Sequence, residues 1–323
     1  MVSYGYLAPT RGVVLGSGGQ TSLAARTQAD IVQVAKRAEA LGFETIWVGD
    51  SVLAKPRLEP LTVLSAVATA TDAAGIGSAI YLPTLRDAVN VAHQTATLDQ
   101  LSGGRLELGV GVGVGPDVEA EYANLDLPYR RRGALLDESL DVITGLWTGE
   151  PIDYDGEFYQ LDDASIDFQP CREPPIHIAS LGFDPTEGFP RPIRERMIAH
   201  GDGWLPGGYT PETYAAGLEG LRSFLAEAGR DPDRVDAGCY VDVVLADSEE
   251  AAIEEARDFL LAYYPTWDEL SDEEIRARGA YGPPERVAET LDAYREAGVE
   301  RFVVRFTAAN QREQLGRFAK FLD

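Results

Sequence analysis

Leu98-Asp-Gln-Leu-Ser-Gly-Gly-Arg-Leu-Glu-Leu-Gly-Val-Gly-Val-Gly113 carries the change of period on which the fold turns. Its first residues close an amphipathic segment that begins near Asp87, and from Leu106 to Gly113 apolar residues and glycines run on as a short β-rich segment. A helix that leads straight into an apolar strand is half of a βα unit, and the same unit recurs on both sides. Upstream, strands are predicted over 3–9, 45–50 and 76–83, with helices around 31–41, where Ile31, Val34, Ala35, Ala38 and Leu41 share one face, and over 60–73. Downstream, strands are predicted over 175–180, 203–208, 238–246 and 301–306. Helices near 131–147, 191–200, 211–228, 249–262 and 283–298 and a last helix separate and follow them.

Eight nearly continuous apolar strands, each paired with a helix, imply a parallel sheet covered by helices on its outside. The expectation is α/β: a single domain over residues 1–323 built as a (β/α)8 TIM barrel, with a doubly wound sheet as the competing arrangement. Residues 148–174 are too many for a normal connection and predict an insertion between strands 4 and 5. Residues 263–282, rich in Trp, Tyr and acidic side chains, form a second insert. Both are lid or interface candidates.

The chain has 28 Lys+Arg against 53 Asp+Glu, a net charge of −25. Such a charge repels a phosphate backbone and an anionic lipid surface, and no basic run offsets it, so neither nucleic acid nor membrane is expected as a partner. Only Lys36, Lys55 and Lys320 are lysines, and acidic excess with lysine scarcity resembles halophilic, salt-in proteins. Cys171 and Cys239 stand 68 residues apart without a CxxC, which implies neither a disulfide framework nor a thiolate metal site. With no cationic start before an apolar run and no stretch of about 18 apolar residues, the expected location is cytoplasmic.

Several motifs fail. Gly109, Gly111, Gly113 and Gly115 suggest GxGxxG, yet the third glycine falls on Val114, Pro116 or Val118 in the three registers. There is no Gly-Lys pair for a P-loop, no HExxH and no GxSxG, and His93, His177 and His200 are too dispersed for a local metal motif, so no metal is expected. Glycine at every second strand position does leave one face bare, open either to a flat ligand or to tight barrel packing.

The segment from Leu98 to Gly113 resembles the signature of the luciferase-like flavin oxidoreductases. So do Ala40-Leu-Gly-Phe-Glu-Thr-Ile-Trp-Val-Gly-Asp50, Glu121-Tyr122, the run from Arg132 to Glu138, Pro174-Pro-Ile-His-Ile, Gly201-Asp-Gly-Trp204, Gly282-Pro-Pro-Glu-Arg-Val287 and Ala297-Gly-Val-Glu-Arg-Phe302. The match covers nearly the whole chain in order. It implies a barrel with an inserted region, a homodimer, and F420 or FMN held at the C-terminal ends of the strands for hydride transfer or O2 activation on a small organic substrate.

Carried over residue by residue, Ile80, Leu82 and Pro83 would form the wall behind the ring, and Gly111 and Gly113 would border its other side. Ala179, Ser180, Leu181 and Gly182 would make the phosphate loop beside Gly207 and Gly208, with Arg191 and Arg194 as added charge or as a solvated helix face. Many members carry Asp-His after strand two; here the pair is Asp50-Ser51, so that histidine is not available for proton transfer. Asp50, as a base or a cap, and His177, as an acid or a core histidine, are the candidate catalytic groups. The missing histidine points away from a standard alcohol or sugar-phosphate dehydrogenase, toward a methylene-tetrahydromethanopterin reductase-like enzyme or an FMN monooxygenase. A halophilic setting leans toward F420. The alternatives are a non-catalytic flavin-binding barrel and a flavin-independent barrel hydrolase or aldolase using Asp50 and His177.

Overall fold

The computed structural model describes residues 2–11, 23–55, 57–264 and 267–322, and for 23–30 the backbone course alone. Apolar strands that cannot face water pair in parallel: β11 (Arg301–Phe306) with β1 (Ser3–Leu7), then β2 (Thr45–Val48), β3 (Gly75–Tyr81), β4 (Leu106–Val110), β7 (Ile176–Ile178) and β8 (Gly203–Trp204). β9 (Asp236–Leu245) joins β11 on one edge and β8 on the other, through Gly203 with Asp236 and Trp204 with Ala237. That last pairing closes the barrel and decides against an open doubly wound sheet. Helices run between the strands and bury one face each; the Pro60–Ala68 helix, for example, begins at an Glu59 cap that accepts the Thr62 N–H.

The first insert folds as an antiparallel hairpin, β5 (Ile152–Asp155) with β6 (Gln160–Ala164), between the fourth and fifth barrel strands, as the length of that connection requires. The second insert, expected as a lid or interface candidate, has regular structure of its own. It contains the Asp272–Arg276 helix, with a Ser271/Glu274 capping box, and a ninth parallel strand, β10 (Gly279–Gly282). β10 pairs with residues 242–245 of β9, above the point where β8 stops, and so extends the barrel wall at its C-terminal end. Alternation is too short over Gly279-Ala-Tyr-Gly282 to mark a strand before its partner is known.

The barrel interior explains part of the glycine pattern. Trp47 is fully buried inside it, and a Cβ on Gly5 or Gly77 would fall 2.1 Å and 2.4 Å from its ring atoms. These positions lack side chains because the indole occupies their space. No helix among the described residues is long and apolar enough to cross a membrane.

Candidate functional site

At the C-terminal ends of the barrel strands lies a cavity of about 570 Å³, open on one side. This is the end at which loops rather than packed layers shape a barrel, and the size suits a cofactor with its substrate. Its two walls differ in chemistry.

One wall is small and apolar. β3 loses register against β4 between Ser78 and Tyr81, and the Ala79–Ile80 peptide is cis. The irregularity brings Ala79 and Ile80 to the cavity, facing Val112 and Gly113 beyond β4 and Ala179 to Gly182 beyond β7. Gly207 and Gly208 complete this side beyond β8, Gly208 with φ +73°. Of the eleven residues expected around a cofactor, Ile80, Gly113, Ala179, Ser180, Leu181, Gly182, Gly207 and Gly208 line the cavity. The other three stand behind it. Gly111 makes room for Ile80, whose Cδ1 would be 2.4 Å from an added Cβ; Leu82 packs with Leu85, Val118 and Tyr122; and Pro83 opens a buried turn of 3₁₀ helix.

The segment 179–182 is a free-standing loop. Ser180 Oγ accepts the Gly182 N–H at 3.2 Å, and the next helix starts only at Arg191, after a turn closed by Asp184 and Gly188. A helix dipole therefore does not stand directly behind it, and any anion there would rely on loop N–H groups. Arg191 and Arg194 pair with Glu195 and Glu227 on the surface.

The opposite wall is polar and aromatic, made by Tyr240 and Asp242 of β9, Tyr264 and Arg278 of the second insert, and Arg305 of β11. Asp242 and Arg305 are register partners in the parallel pair, so adjacent strands point them inward together. Arg305 Nε and Nη2 donate to the two Asp242 oxygens, each at 2.6 Å, and Nη1 donates to the Tyr264 hydroxyl at 3.0 Å. Burial works against the Arg305 charge, but Asp242 together with Tyr240 and Tyr264 outweighs it and holds the guanidinium pKa well above its ordinary value. Burial pushes the Tyr240 hydroxyl well up, so it stays protonated at neutral pH. Arg196 also reaches the cavity but is held by Asp137 at 2.6 Å and the Gly133 carbonyl at 2.9 Å.

Asp50 and His177 are not brought together. The Asp50 carboxylate accepts two bonds from Arg86, at 2.7 and 3.0 Å, and the Leu82 N–H at 3.0 Å. Burial raises its pKa, against the pull of Arg86. Here it ties the end of β2 to the turn after β3. Ser51 gives its hydroxyl to Glu121, whose Oε1 also receives the N–H groups of Val52, Leu53 and Ala54. His177 faces the N-terminal end of the barrel, where its Nε2 lies 3.0 Å from Glu107 and its ring stands edge-on to Trp47. Arg301 bridges Glu107 and Asp236 beside it. Neither Asp50 nor His177 lines the cavity.

The polar wall escaped the sequence reading although it left a mark: beyond the charges that open them, Asp236 and Arg301, the strands β9 and β11 each carry one charge among apolar residues, Asp242 and Arg305, as β7 carries His177. A charge buried on both faces of a sheet needs a partner, and two such strands suggest each other. Tyr264 and Arg278 could not be placed before β10 fixed the course of their insert.

A family model described as "Luciferase-like monooxygenase" matches residues 3–301. An F420-dependent glucose-6-phosphate dehydrogenase of Kribbella flavida is 30% identical over 318 residues, covering 90% of this chain and 92% of the relative. Among solved structures, an F420-dependent secondary alcohol dehydrogenase in complex with an F420-acetone adduct superposes with a TM-score of 0.81 at 20% identity, over 99% of this chain and 97% of that one. A riboflavin lyase with modified FMN and riboflavin superposes with a TM-score of 0.75 at 17% identity, over 99% and 90%. At these identities the two structures establish a shared fold.

Proposed function

Because the chain belongs to the luciferase-like monooxygenase family, we propose that it is an F420-dependent oxidoreductase that transfers hydride between the cofactor and a small organic substrate. The observation that carries this reading is the two-sided cavity at the C-terminal ends of the strands. A wall of glycine, alanine and a re-aimed Ile80 leaves room for a flat ring, and the polar wall opposite can orient a substrate against it. F420 is preferred over FMN because the curated relative is F420-dependent over 90% of this chain.

When bound, the ring supplies the two-electron chemistry. The chain's residues do the rest. Ile80 and Gly113 would flank the ring, the Ala179–Gly182 loop with Gly207 and Gly208 would take the cofactor's phosphate, and Val112, Leu205 and Ile193 would keep water from that side. Ser51 in place of the family's histidine, and Asp50 engaged by Arg86, leave the polar wall and Arg196, itself held by Asp137, as the ionisable groups that meet the cavity among the described residues. The dispersal of Asp50 and His177 to separate places gives a hydrolase built on that pair no common site.

Equilibrium titration of the purified protein with F420 and with FMN, followed by fluorescence quenching in high salt, tests the reading. Tight F420 binding is the expected result. Preference for FMN would redirect the reading to oxygen-dependent chemistry, and binding of neither would overturn it.

A further inference from the structure

A carbonyl carbon that takes a hydride leaves negative charge on its oxygen, and a proton must reach that oxygen. Ser51 stands where the family's histidine would supply one, Asp50 is engaged by Arg86, and His177 faces the other end of the barrel. The polar wall of the cavity carries two hydroxyls, those of Tyr240 and Tyr264.

The two differ in what meets the oxygen. A phenol accepts hydrogen bonds at its oxygen and gives one through its single O–H. Arg305 Nη1 donates to the Tyr264 oxygen at 3.0 Å, which makes that oxygen an acceptor on the Arg305 side and turns its own O–H elsewhere. Among the described residues this O–H meets no acceptor, and Tyr264 lines the cavity, so it is free for a bound molecule. Its place is set in advance: the Tyr264 ring stacks on Trp267 at 4.1 Å and meets Tyr263 edge-on at 4.8 Å. Once the proton has left, the charge on the Tyr264 oxygen faces a guanidinium already hydrogen-bonded to it. Tyr240 lacks such a donor. Arg305 lies over its ring, with Cζ 5.3 Å from the ring centre, and burial pushes its hydroxyl pKa well up.

We infer that Tyr264 is a catalytic proton donor, its O–H hydrogen-bonded to the oxygen of an aldehyde or ketone substrate held between the two walls. The inference rests on reading the cavity as a cofactor-and-substrate cleft. As the carbonyl carbon accepts hydride, a C–H bond forms and the C=O π pair moves to oxygen. The Tyr264 O–H breaks, a new O–H forms on the substrate, and the product is an alcohol. The carbonyl gains two electrons, which the reduced cofactor loses as the hydride source, and a proton from solvent restores the phenol.

Absorption titration with 4-(dimethylamino)benzaldehyde tests this without turnover, because the band of that aldehyde moves to longer wavelength when its carbonyl oxygen receives a hydrogen bond. Wild-type protein, Tyr240→Phe and Tyr264→Phe, which keeps the ring that stacks on Trp267, are each titrated with the aldehyde in the presence of F420 and, separately, with F420 alone. A red-shifted band is expected on the wild type and on Tyr240→Phe. Tyr264→Phe should bind the aldehyde without the shift, and F420 affinity should be equal in all three. With reduced F420 supplied, kcat for aldehyde reduction should fall about 100-fold or more in Tyr264→Phe, with KM changed far less. A shift that survives Tyr264→Phe, a shift lost only in Tyr240→Phe, no shift on the wild type, or equal kcat across the series overturns the inference. F420 affinity that falls in Tyr264→Phe also overturns it, by assigning the hydroxyl to the cofactor, and no reduction by the wild type overturns the carbonyl as substrate class. If no protein binds F420 but the shift still depends on Tyr264, the hydrogen-bond donor stands and the cofactor reading falls.

Discussion

Replacing Asp242 by Leu should be among the most destabilising single changes in the cavity wall. The Asp242 side chain is 3% exposed and that of Arg305 7%, and the pair is held by two bonds of 2.6 Å. Removing the carboxylate leaves the guanidinium with the Tyr264 hydroxyl as its one remaining acceptor and with three neighbouring tyrosine rings that stabilise a cation only weakly. Loss of one partner of such a pair costs about 3–5 kcal/mol, and the cavity, which admits water, places this case near ~3 kcal/mol. Arg305→Met, which strands the carboxylate instead, should cost a similar amount. The double variant Asp242→Leu/Arg305→Met has no uncompensated charge left and should cost less than the sum of the singles by ~2 kcal/mol or more. Urea unfolding of the four proteins gives the cycle. Costs below ~1 kcal/mol for Asp242→Leu, or singles that add within ~0.5 kcal/mol, would refute the claim that burial makes these two groups interdependent.

Gly111→Ala should push Ile80 into the cavity, since the new Cβ would meet Ile80 Cδ1 at 2.4 Å; an overpacking cost of about 1–3 kcal/mol should appear mainly as weaker F420 or FMN binding, read by fluorescence titration. Glu121→Ala removes the one oxygen that gathers three successive N–H groups and the Ser51 hydroxyl, so hydrogen exchange at Val52, Leu53 and Ala54 should quicken by about 10- to 100-fold. Burial alone would raise the Glu107 pKa, but the His177 bond and Arg301 outweigh it and hold it below 4.5. The stability this contributes is present above that ordinary value and is lost as pH falls through the depressed one. Thermal melts across pH 3 to 6 should therefore show a shallower acid loss in Glu107→Gln than in the wild type. With a net charge of −25, unfolding midpoints should rise as KCl goes from about 0.1 to 2 M, and a flat response would count against self-repulsion as a cost to this fold.

The barrel was legible because its signals are local. Apolar runs of strand length, several preceded by a helix that stops at a glycine such as Gly42, Gly103 or Gly298, dictate βα units whatever the remaining chain does, and the count of eight leaves closure as the consistent solution. The small wall of the cavity was legible for a related reason: Gly113, Gly207 and Gly208 and the Ala179–Gly182 loop lie at strand ends, where position in the chain gives position in the site. The polar wall depends on events far apart in sequence. Arg305 meets Asp242 across 63 residues, through a register that neither strand specifies alone. His177 shows the converse. Its place in a barrel strand was readable, but whether it points into the barrel follows from the pleat of a three-residue strand and its depth from the register with its neighbours, and Gly203, whose Cβ would fall 2.1 Å from its Nδ1, marks where the ring lies.

The second insert joins these observations. Residues between β9 and the Pro284–Glu296 helix could have remained a lid over the mouth, but β10 pairs with residues 242–245 of β9 and makes the upper part of the insert a fixed section of wall. Asp242 is the hinge point of that arrangement: its N–H donates to the Arg278 carbonyl at 3.1 Å while its carboxylate holds Arg305. One residue thus sets the backbone of Arg278 and the side chain of Arg305, and through Arg305 the Tyr264 hydroxyl. The Arg278 backbone is thus fixed by the same residue that closes Arg305, while its guanidinium lies over the Trp267 ring. The two arginines are distinguished by one carboxylate, which fills the fork of the first and reaches the second only through backbone. The glycine wall comes from strand ends and their loops, and the polar wall from β9, β11 and the second insert, so on the proposed reading the insert can change without touching the glycine wall. Replacing the side chains of residues 264–278 should alter which substrate binds while leaving the glycine wall, and the affinity for the ring it accommodates, unchanged.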